Sequence, residues 1–513
     1  MGNWMDGHLN NLVQKQQENL DLGGNDRIEV QHGLGKLTAR ERIERLVDPG
    51  TFDELGSLVR DSYRGSTASP KPSPADGVVM GWARVNGRQV MIYSLDFTVM
   101  SGAIGVAGIW KLAELVDMAG REQVPLIGMI DSAGSRIGFK GGGAGMDGMC
   151  RLVRNYCLYS GIIPQITLLL GPCTGPLAQL PVLSDFLIMN RETGFLWLGG
   201  EIESEQDGRA DFHMQTSGQC DWIADSDEEA IDLTKTLLGY IPQNCWEKPI
   251  TIEATDDPDR SEEALLEVMP NDDRFTYDMH EVIELIADNG EFFEVKEDYA
   301  PNLIVGLTRF DGMVAGIAAS NPDELSGVME PDSSDKYDKF LMFLDAFNIP
   351  LITMSDTTAY PPGDKWERMG VIRHGAKNLH GYAHLTNPKL TLVLRRSYGG
   401  SNISMGCSKM GPDFVLAWPT AEFAPTGPEQ IVQAIFHKDL AIAKEEGRYE
   451  EAYNGYLAPL KASMNVMSRA TSFYGVNEVI DPRETRHWVI RSLRAMVAKR
   501  EQLPQKKRYI KPA

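Results

Sequence analysis

The sequence predicts an α/β protein made of two tandem domains with the same fold. Three observations support this prediction. The chain has 513 residues, which exceeds the size at which a single hydrophobic core stops growing. One sequence pattern occurs twice, and short apolar runs alternate with longer stretches of helical periodicity.

The repeat has three anchor points that occur in the same order in both copies. The turn VNG at 85–87 corresponds to FDG at 310–312, with a sequence offset of 312 − 87 = 225. VPLIGMIDSAG corresponds to IPLITMSDTTA and aligns Asp131 with Asp356 at the same offset. IPQITLLLGPCTGP corresponds to NPKLTLVLRRSYGG and places Gly175 opposite Gly399, with an offset of 399 − 175 = 224. This common register predicts two copies of one domain.

Within each copy, the runs LIGMI, ITLLL, LITM and LTLVL are short and follow a proline closely, as strands buried on both faces of a sheet do. The segments IWKLAELVDMAG and DKFLMFLDAF have the apolar spacing of helices. The acidic segment 255–274 is predicted to link the copies. The predicted domains are therefore residues 1–255 and 256–513.

Composition restricts the possible functions. A net charge of −22 argues against nucleic-acid binding, and no apolar run is long enough for a membrane span. The N-terminus lacks the pattern of a secretory signal, and the six cysteines lack disulfide or zinc spacing, so a cytoplasmic location is expected. The basic segment 35–46 is either a binding site for an anionic ligand or a solvated helix face.

Each predicted strand is followed by a turn of small residues. The four turns are DSAGSR, GPCTGPLA, DTTAYPPG and YGGSN. Small residues let a ligand approach the backbone closely, and amides at a helix start can bind an oxyanion. Four such turns at equivalent positions predict two sites for ligands with a negatively charged oxygen.

Longer motifs carry a resemblance to a known family. These are GKLTARERIERLVDPGTFDEL, ADGVVMGW, DFTVMSG, SDKYDKFLMFLDAFNIPL, GVIRHGAKNLHGYA and AWPTAEFAPTGPEQ. From about Lys36 to its C-terminus, the chain resembles the carboxyltransferase (beta) subunits of biotin-dependent acyl-CoA carboxylases such as propionyl-CoA carboxylase.

The resemblance implies two crotonase-like (ClpP/crotonase) spiral ββα domains. It implies an acyl-CoA bound by the first domain and biotin bound by the second domain of a neighbouring subunit, commonly in a hexamer. Biotin would arrive on a separate biotin carboxyl carrier protein after loading by a biotin carboxylase subunit. The implied transferase mechanism passes through enolates held in backbone oxyanion holes and needs no protein general base or metal.

The resemblance also assigns site residues. In the second domain it implies that Gly400 and Ser401 form the oxyanion hole for the biotin oxygen. In the first domain it implies that Gly134, Ser135 and Gly175 form the hole for the thioester oxygen. The remaining contacts are expected from Gly399, Ala359 and Tyr360 for biotin, and from Ala133, Pro176 and Ile403 for the acyl-CoA.

Several positions depart from the family pattern. Pro176 replaces a second glycine and has no N–H to donate, so the thioester hole either rests on the remaining donors, serves an unusual acyl group, or has lost activity. The glycine-rich stretch 138–149 predicts a loop, either mobile over the acyl pocket or simply solvated. Ile403, near the predicted pocket wall, favours an apolar acyl group.

Three functions remain open at this point. The first is an acyl-CoA carboxylase subunit. The second is the corresponding subunit of a biotin-dependent acyl-CoA decarboxylase of a sodium pump, which runs the same transfer in reverse. The third is a biotin-independent crotonase-like enzyme or an inactive assembly subunit. His374 and His380 are expected to lie on one helix in structural roles, and no His/Cys set has metal-ligand spacing.

Overall fold

A computed structural model describes residues 4–60, 73–136, 142–200, 204–272, 275–469 and 475–512. The chain divides into two compact units between Lys248 and Pro249, a few residues before the predicted boundary. The predicted linker is not a free connection. Leu265 is fully buried in the core of unit 2, and the Arg260 guanidinium donates to two backbone carbonyls of the same unit at 2.7 and 2.9 Å.

Unit 1 contains eight described α-helices and eight described strands. The helices are α1 (Trp4–Leu20), α2 (Asn25–Gly33), α3 (Ala39–Leu46), α4 (Val106–Glu122), α5 (Gly142–Tyr159), α6 (Gln179–Leu183), α7 (Ala210–Gln215) and α8 (Asp227–Tyr240). The strands are β1 (Asp53–Glu54), β2 (Val78–Val85), β3 (Arg88–Leu95), β4 (Leu126–Ser132), β5 (Gln165–Thr174), β6 (Phe186–Asn190), β7 (Phe195–Trp197) and β8 (Trp222–Ala224).

Unit 2 contains ten described α-helices and eight described strands. The helices are α9 (Leu265–Val268), α10 (Met279–Ile286), α11 (Pro331–Ala346), α12 (Asp364–Arg368), α13 (Val371–Ala383), α14 (Gly399–Ser404), α15 (Pro428–Glu445), α16 (Tyr449–Met464), α17 (Val466–Arg469) and α18 (Thr485–Met496). The strands are β9 (Phe292–Glu294), β10 (Leu303–Phe310), β11 (Met313–Ser320), β12 (Leu351–Thr357), β13 (Lys389–Tyr398), β14 (Phe414–Ala417), β15 (Glu422–Ala424) and β16 (Glu478–Val479).

The two sheets have the same topology. In unit 1 the strand order is β1-β2-β3-β4-β5-β6-β8, with β7 paired to β5, and in unit 2 it is β9-β10-β11-β12-β13-β14-β16, with β15 paired to β13. In each sheet an antiparallel hairpin leads into parallel strands. Because parallel strands end at the same edge, the turns after β4 and β5 are neighbours, and so are those after β12 and β13.

The duplication extends to individual hydrogen bonds. Both hairpins turn through two residues with positive φ, Asn86-Gly87 in unit 1 and Asp311-Gly312 in unit 2, as tight hairpins require. A carboxylate accepts from both turn amides in each case, Asp48 at 2.9 and 2.7 Å and Asp288 at 2.9 and 2.8 Å. The repeat predicted from the sequence is therefore a structural repeat.

A buried lysine occupies the same place on the first long helix of each unit. Lys111 on α4 and Lys336 on α11 are related by the offset of the repeat, 336 − 111 = 225. Each ammonium donates to two backbone carbonyls at 2.8 to 2.9 Å. In both units these bonds hold the chain just before the hairpin against the helix. In unit 1 they also hold the first residue of the hairpin. Both predicted helices, at 109–120 and 338–347, lie essentially within α4 and α11.

The glycine-rich stretch 138–149 differs from its prediction. Residues 137–141 lie outside the described part of the chain, but helix α5 begins at Gly142, so the later part is not a loop. A Cβ on Gly148 would lie 2.7 Å from the Ile109 side chain. The glycine thus allows α5 to pack closely against α4, and this tertiary contact outweighs the low helix propensity of glycine.

Candidate active site

In unit 1, the turn after β4 carries three of the predicted site residues. The Ala133 amide donates to the Ser101 carbonyl at 3.0 Å, and the Gly134 amide donates to the Ser132 hydroxyl at 3.0 Å. The Ser135 amide has no acceptor among the residues that the structure describes. Of these three predicted residues, only Ser135 therefore presents an unused amide, and the donor role assigned to Gly134 is already taken within the turn.

The turn after β5 begins a short 3-10 helix, Gly175–Ala178. Gly175 has φ 67°, and a Cβ there would meet nothing within 4 Å, so the backbone is accessible at this point. Because Pro172 has no N–H, the parallel pairing of Thr174 with Trp197 uses the Gly175 amide as its donor, and Pro176 has no N–H either. The third residue of a 3-10 helix bonds back to the residue before the helix, so the Leu177 amide is used within the turn. Gly175 therefore gives this turn its open, left-handed backbone and not an unused amide.

The two turns of unit 1 are in contact. The Thr174 hydroxyl donates to the Ala133 carbonyl at 3.1 Å, and a Cβ on Gly134 would lie only 2.8 Å from the Thr174 carbonyl oxygen. The unused Ser135 amide therefore lies beside the left-handed turn at Gly175, at one edge of the sheet. A backbone donor of this kind suits a developing negative charge on oxygen.

The turns of unit 2 repeat this arrangement with other side chains. Gly399 has φ 60°, the left-handed conformation of its counterpart Gly175. The amides of Gly400 and Ser401 lie in the first turn of α14 and have no acceptor among the described residues. In the preceding turn, the Ala359 carbonyl accepts from a backbone amide at 3.2 Å.

Tyr360 joins the two turns of unit 2. Its ring lies 3.0 Å from the position that a Cβ on Gly400 would take, and its hydroxyl lies 2.6 Å from the Ser404 hydroxyl. Burial raises the pKa of Tyr360, so this phenol is neutral at physiological pH. Ile403 on the same helix is 40% exposed, so it is available to contact a ligand.

A buried ion cluster fixes the strand end that leads into the first turn. Asp131 accepts from the Lys36 ammonium at 2.7 Å and from the Gln31 amide at 3.0 Å, and it pairs with Arg42 at 3.1 Å. Arg42 also donates to Asp227 at 2.8 Å, and the Arg42 and Asp131 side chains are completely buried. Burial lowers the pKa of Lys36, and the nearby Asp131 opposes that shift.

This cluster excludes an anion-binding role for the two buried cations of the basic segment 35–46. Lys36 and Arg42 are buried against carboxylates, whereas Arg45 on the same helix is exposed, so the helix keeps a solvated face. Arg40 is also occupied, by a two-point ion pair with Glu54 at 2.8 and 3.1 Å. The acidic partners lie outside the segment and most of them are distant in sequence, so the basic residues alone do not indicate them.

Asp356 takes the place of Asp131 in unit 2. It accepts from the Arg395 guanidinium at 2.9 Å, and from the guanidinium and the backbone amide of Arg396 at 2.8 and 3.1 Å. Arg395 corresponds to Gly171 of unit 1, since 395 − 171 = 224. Both units thus place a neutralised carboxylate under the first turn of the site.

The histidines of unit 2 have ordinary structural contacts. His374 and His380 both lie on α13, as predicted, and His374 Nδ1 is 2.8 Å from Asp335. Within the described ranges, no group of three or more His, Cys, Asp or Glu side chains has a metal-binding arrangement. Among the helices of those ranges, none is both long and apolar enough to cross a membrane.

Comparison with known proteins decides the family. The family model described as "Carboxyl transferase domain" matches residues 30–510. The chain belongs to the carboxyl transferase family. It is 36% identical to the propionyl-CoA carboxylase carboxyltransferase subunit of Haloferax mediterranei, over 98% of both chains. It is also 36% identical to the methylmalonyl-CoA decarboxylase subunit alpha of Propionigenium modestum, over 96% of this chain and 97% of the relative.

Among solved structures, this carboxyl transferase is similar to transcarboxylase 12S, a hexamer assembly with methylmalonyl-coenzyme A and methylmalonic acid bound. The TM-score is 0.94 at 34% identity, covering 100% of this chain and 99% of the other. The predicted family, the two crotonase-like domains and the predicted reaction class are confirmed. That class is carboxyl transfer between biotin carried on a separate protein and an acyl-CoA.

One residue of the unit 1 site was missed by reasoning from the sequence. Thr174 joins the two turns through its hydroxyl bond to the Ala133 carbonyl. Its signal was a hydroxyl residue directly before Gly175 in the string GPCTGP.

Proposed function

We propose that this chain is the carboxyltransferase subunit of a biotin-dependent acyl-CoA carboxylase. Unit 1 binds the acyl-CoA thioester and unit 2 binds biotin, which is carried on a separate carrier protein. The observation that supports this proposal is the pair of equivalent turn systems, in which the Ser135 amide of unit 1 and the Gly400 and Ser401 amides at the start of α14 have no acceptor within the described chain. Two oxygens become negatively charged in this reaction class, one on each reactant, and the chain offers one set of donors for each.

In unit 1, the Ser135 amide stabilises the thioester oxygen as the α-carbon loses its proton, and Gly175 provides the left-handed turn beside it. Each preorganised donor of this kind lowers a barrier by about 3 kcal/mol. Pro176 removes one donor from the turn after β5, and the Ser135 amide of the adjoining turn remains without an acceptor in the described chain. A working first site would therefore rest on the Ser135 amide.

In unit 2, the residues fit the ureido oxygen of biotin. Gly400 and Ser401 provide two adjacent amides at a helix start, where the helix dipole also favours negative charge. Bound biotin supplies the carboxyl group or accepts it. The chain itself orients the biotin oxygen through these amides, and Gly399 provides the left-handed turn that brings them to the end of β13.

The acyl group is proposed to be apolar. Ile403 is partly exposed and lies two residues after Ser401 on α14. Beyond the carboxyl group that is transferred, a branched alkyl side chain favours an acyl chain without further charge, because burying a charge without a partner is costly. Ala133 and Pro176 are proposed to complete the acyl side of the site, and Ala359 and Tyr360 the biotin side.

The proposed assembly is a hexamer in which the biotin site of one subunit serves the acyl-CoA site of its neighbour. The hexameric transcarboxylase 12S, which is similar over the whole chain, supports the hexamer. The proposed partners are a biotin carboxylase subunit and a biotin carboxyl carrier protein. The six cysteines are free thiols, which agrees with the proposed cytoplasmic location.

An acyl-CoA decarboxylase subunit is the second candidate. The decarboxylase alpha subunit of Propionigenium modestum matches at the same 36% identity as the carboxylase subunit of Haloferax mediterranei. Both functions use the same transfer in opposite directions, so the same two sets of donors serve either one.

The experiment is purification of the native complex with identification of any co-purifying biotinylated protein, followed by assay of carboxyl transfer from a panel of malonyl-type CoA esters to free biotin. A biotinylated partner and turnover of one ester would establish the proposed function and the acyl group. A co-purifying membrane decarboxylase subunit would favour the second candidate. Absence of both partner and turnover would leave a biotin-independent or inactive subunit.

A further inference from the structure

Buried hydroxyl groups hold the C-terminal end of helix α14. The Tyr337 hydroxyl donates to the Ser404 carbonyl at 3.1 Å, and the Tyr360 and Ser404 hydroxyls are 2.6 Å apart. The Thr391 hydroxyl donates to the Gly406 carbonyl just beyond the helix at 2.7 Å. Tyr337 and Ser404 are completely buried. These bonds connect α14 to helix α11, to the turn after β12 and to strand β13.

Unit 1 fills the same positions without hydroxyl contacts of this kind. Through the offsets of the repeat, Tyr337 corresponds to Leu112 (337 − 225) and Ser404 corresponds to Leu180 (404 − 224). Both leucines are buried in the hydrophobic core of unit 1. The fold therefore accepts apolar packing at these positions, and the hydroxyl contacts of unit 2 are not a requirement of the architecture.

Stability alone does not account for the polar contacts. Replacing both partners of a buried hydrogen bond by apolar groups of similar shape is often nearly neutral, whereas a hydrogen bond adds directional constraint. Helix α14 has only six residues, and a helix this short has no stable geometry of its own. Its orientation must come from contacts with its surroundings.

We propose that Tyr337, Tyr360 and Ser404, together called the clamp, are positioning residues that hold α14 so that the amides of Gly400 and Ser401 point at the bound oxygen. This inference rests on the proposed function of those amides. Tyr360 acts at both ends of the helix, since its ring lies against Gly400 and its hydroxyl bonds Ser404. Tyr337 fixes the last carbonyl of the helix from the opposite element, α11.

The clamp explains why the biotin side uses a tyrosine at position 360. Its counterpart in unit 1 is Ser135, since 360 − 135 = 225, and that side chain has no equivalent reach across the turns. In unit 1, adjoining turns are held instead by the Thr174 bond to Ala133. A shift of about 1 Å in a donor is enough to lose much of its effect on the transition state, so we expect the clamp to act on kcat.

The test compares Tyr360→Phe, Ser404→Ala and the double variant in the full-length protein. Carboxyl transfer to free biotin is measured at saturating acyl-CoA, together with the KM for acyl-CoA, the Tm and hydrogen exchange of the peptide 399–404. We expect each single variant to lower kcat about tenfold and to accelerate exchange of the peptide. The KM for acyl-CoA should change less than about twofold, because the affected helix is on the biotin side.

The double variant should be no slower than either single variant, because each substitution already breaks the same hydroxyl contact. Tyr93→Phe is the matched control. It removes a phenol from another buried hydroxyl pair, Tyr93 with Tyr156 at 2.8 Å, in unit 1. Its expected result is a similar loss of Tm with kcat within about twofold of the unchanged protein.

The inference is overturned if the two unit 2 variants lower kcat no more than Tyr93→Phe does, or if exchange of peptide 399–404 stays the same. Independent, additive losses in the double variant would also overturn it. Absence of transfer by the unchanged protein would refute the proposed function instead. Hydrogen exchange of the peptide 399–404 would then be the remaining test of the clamp. Faster exchange in the variants would support the clamp, and unchanged exchange in both would refute it.

Discussion

Gly400→Pro tests the proposed biotin oxyanion hole directly. The substitution removes the amide proton at a position where the amide has no acceptor among the described residues. The backbone tolerates proline here, because unit 1 already has this arrangement: Pro176 follows Gly175 with φ 67°, and Gly399 has φ 60°. Proline is also acceptable in the first turn of a helix.

The expected magnitude follows from the loss of one donor and from one new contact. Removing one oxyanion donor costs about 3 kcal/mol, which predicts a kcat lower by roughly 100- to 1000-fold. A Cβ at this position lies 3.0 and 3.1 Å from the Tyr360 ring, and this tight contact costs about 1 kcal/mol of stability. Gly400→Ala introduces the same Cβ but keeps the amide, so it measures the steric effect alone.

The assay is carboxyl transfer to free biotin, with acyl-CoA affinity measured separately by calorimetry. Gly400→Pro should abolish most transfer and leave acyl-CoA affinity nearly intact, while Gly400→Ala should retain kcat within about tenfold. Equal activities of the two variants would refute the role of the amide. Loss of acyl-CoA binding with intact transfer would refute the assignment of the two units.

Three further predictions concern other parts of the chain. Pro176→Gly should raise kcat for acyl-CoA about tenfold or more by restoring a donor, and should lower the free energy of unfolding by about 1 kcal/mol through greater freedom of the unfolded chain. Arg42→Ala should destabilise the protein by about 3 to 5 kcal/mol in denaturant unfolding, because it leaves two buried carboxylates with less compensating charge. His280, whose hydrogen bond to Glu294 raises its pKa to about 9, should contribute stability below about pH 6.5 that is lost as the pH rises to about 9.

Each of these predictions has its own control. For Pro176→Gly, an unchanged kcat would mean that the Ser135 amide already supplies the full stabilisation. For Arg42→Ala, the control is Arg40→Ala, because the Glu54 partner of Arg40 is partly exposed. If Arg40→Ala lowered the free energy of unfolding as much as Arg42→Ala does, burial would not be the cause of the loss. For His280, the variant His280→Gln should remove about 1 to 3 kcal/mol of the pH-dependent stability between about pH 6.5 and 9, and an unchanged pH profile would refute the assignment.

The fold was predictable because its signals are local or repeated. The runs LIGMI and LITM lie in β4 and β12, and the predicted turns at 85–87 and 310–312 connect β2 to β3 and β10 to β11. Helix α5 was not predicted over its first residues, because Gly148 is typical of a loop until the packing of α5 against α4 is known. Helix propensity describes an isolated segment, whereas α5 forms because it packs against α4.

Residues of the candidate site were predictable from the sequence only where their role comes from backbone conformation and not from side-chain contacts. Gly175 and Gly399 are recognisable because their positive φ favours glycine. The contact between Tyr337 and Ser404 joins residues 67 positions apart, and neither residue type indicates a bond to a helix carbonyl. The role of Lys36 likewise depends on a carboxylate brought close by the folded chain.

The buried carboxylates show why the two units need different surroundings. A Cβ on Gly171 would lie 1.9 Å from an Asp131 oxygen, so no larger residue fits there while Lys36 and Arg42 bind that carboxylate from the N-terminal segment. In unit 2 the equivalent residue is Arg395, which supplies the cation itself. In unit 1, the end of strand β4 is therefore held by side chains of the N-terminal segment, which lies outside the repeated pattern. In unit 2, the end of strand β12 is held by a side chain of the repeat itself. It follows that the segment 35–46 is structurally part of the acyl-CoA side of the proposed site, and that Arg42→Ala should disturb the turn after β4 without a direct ligand contact.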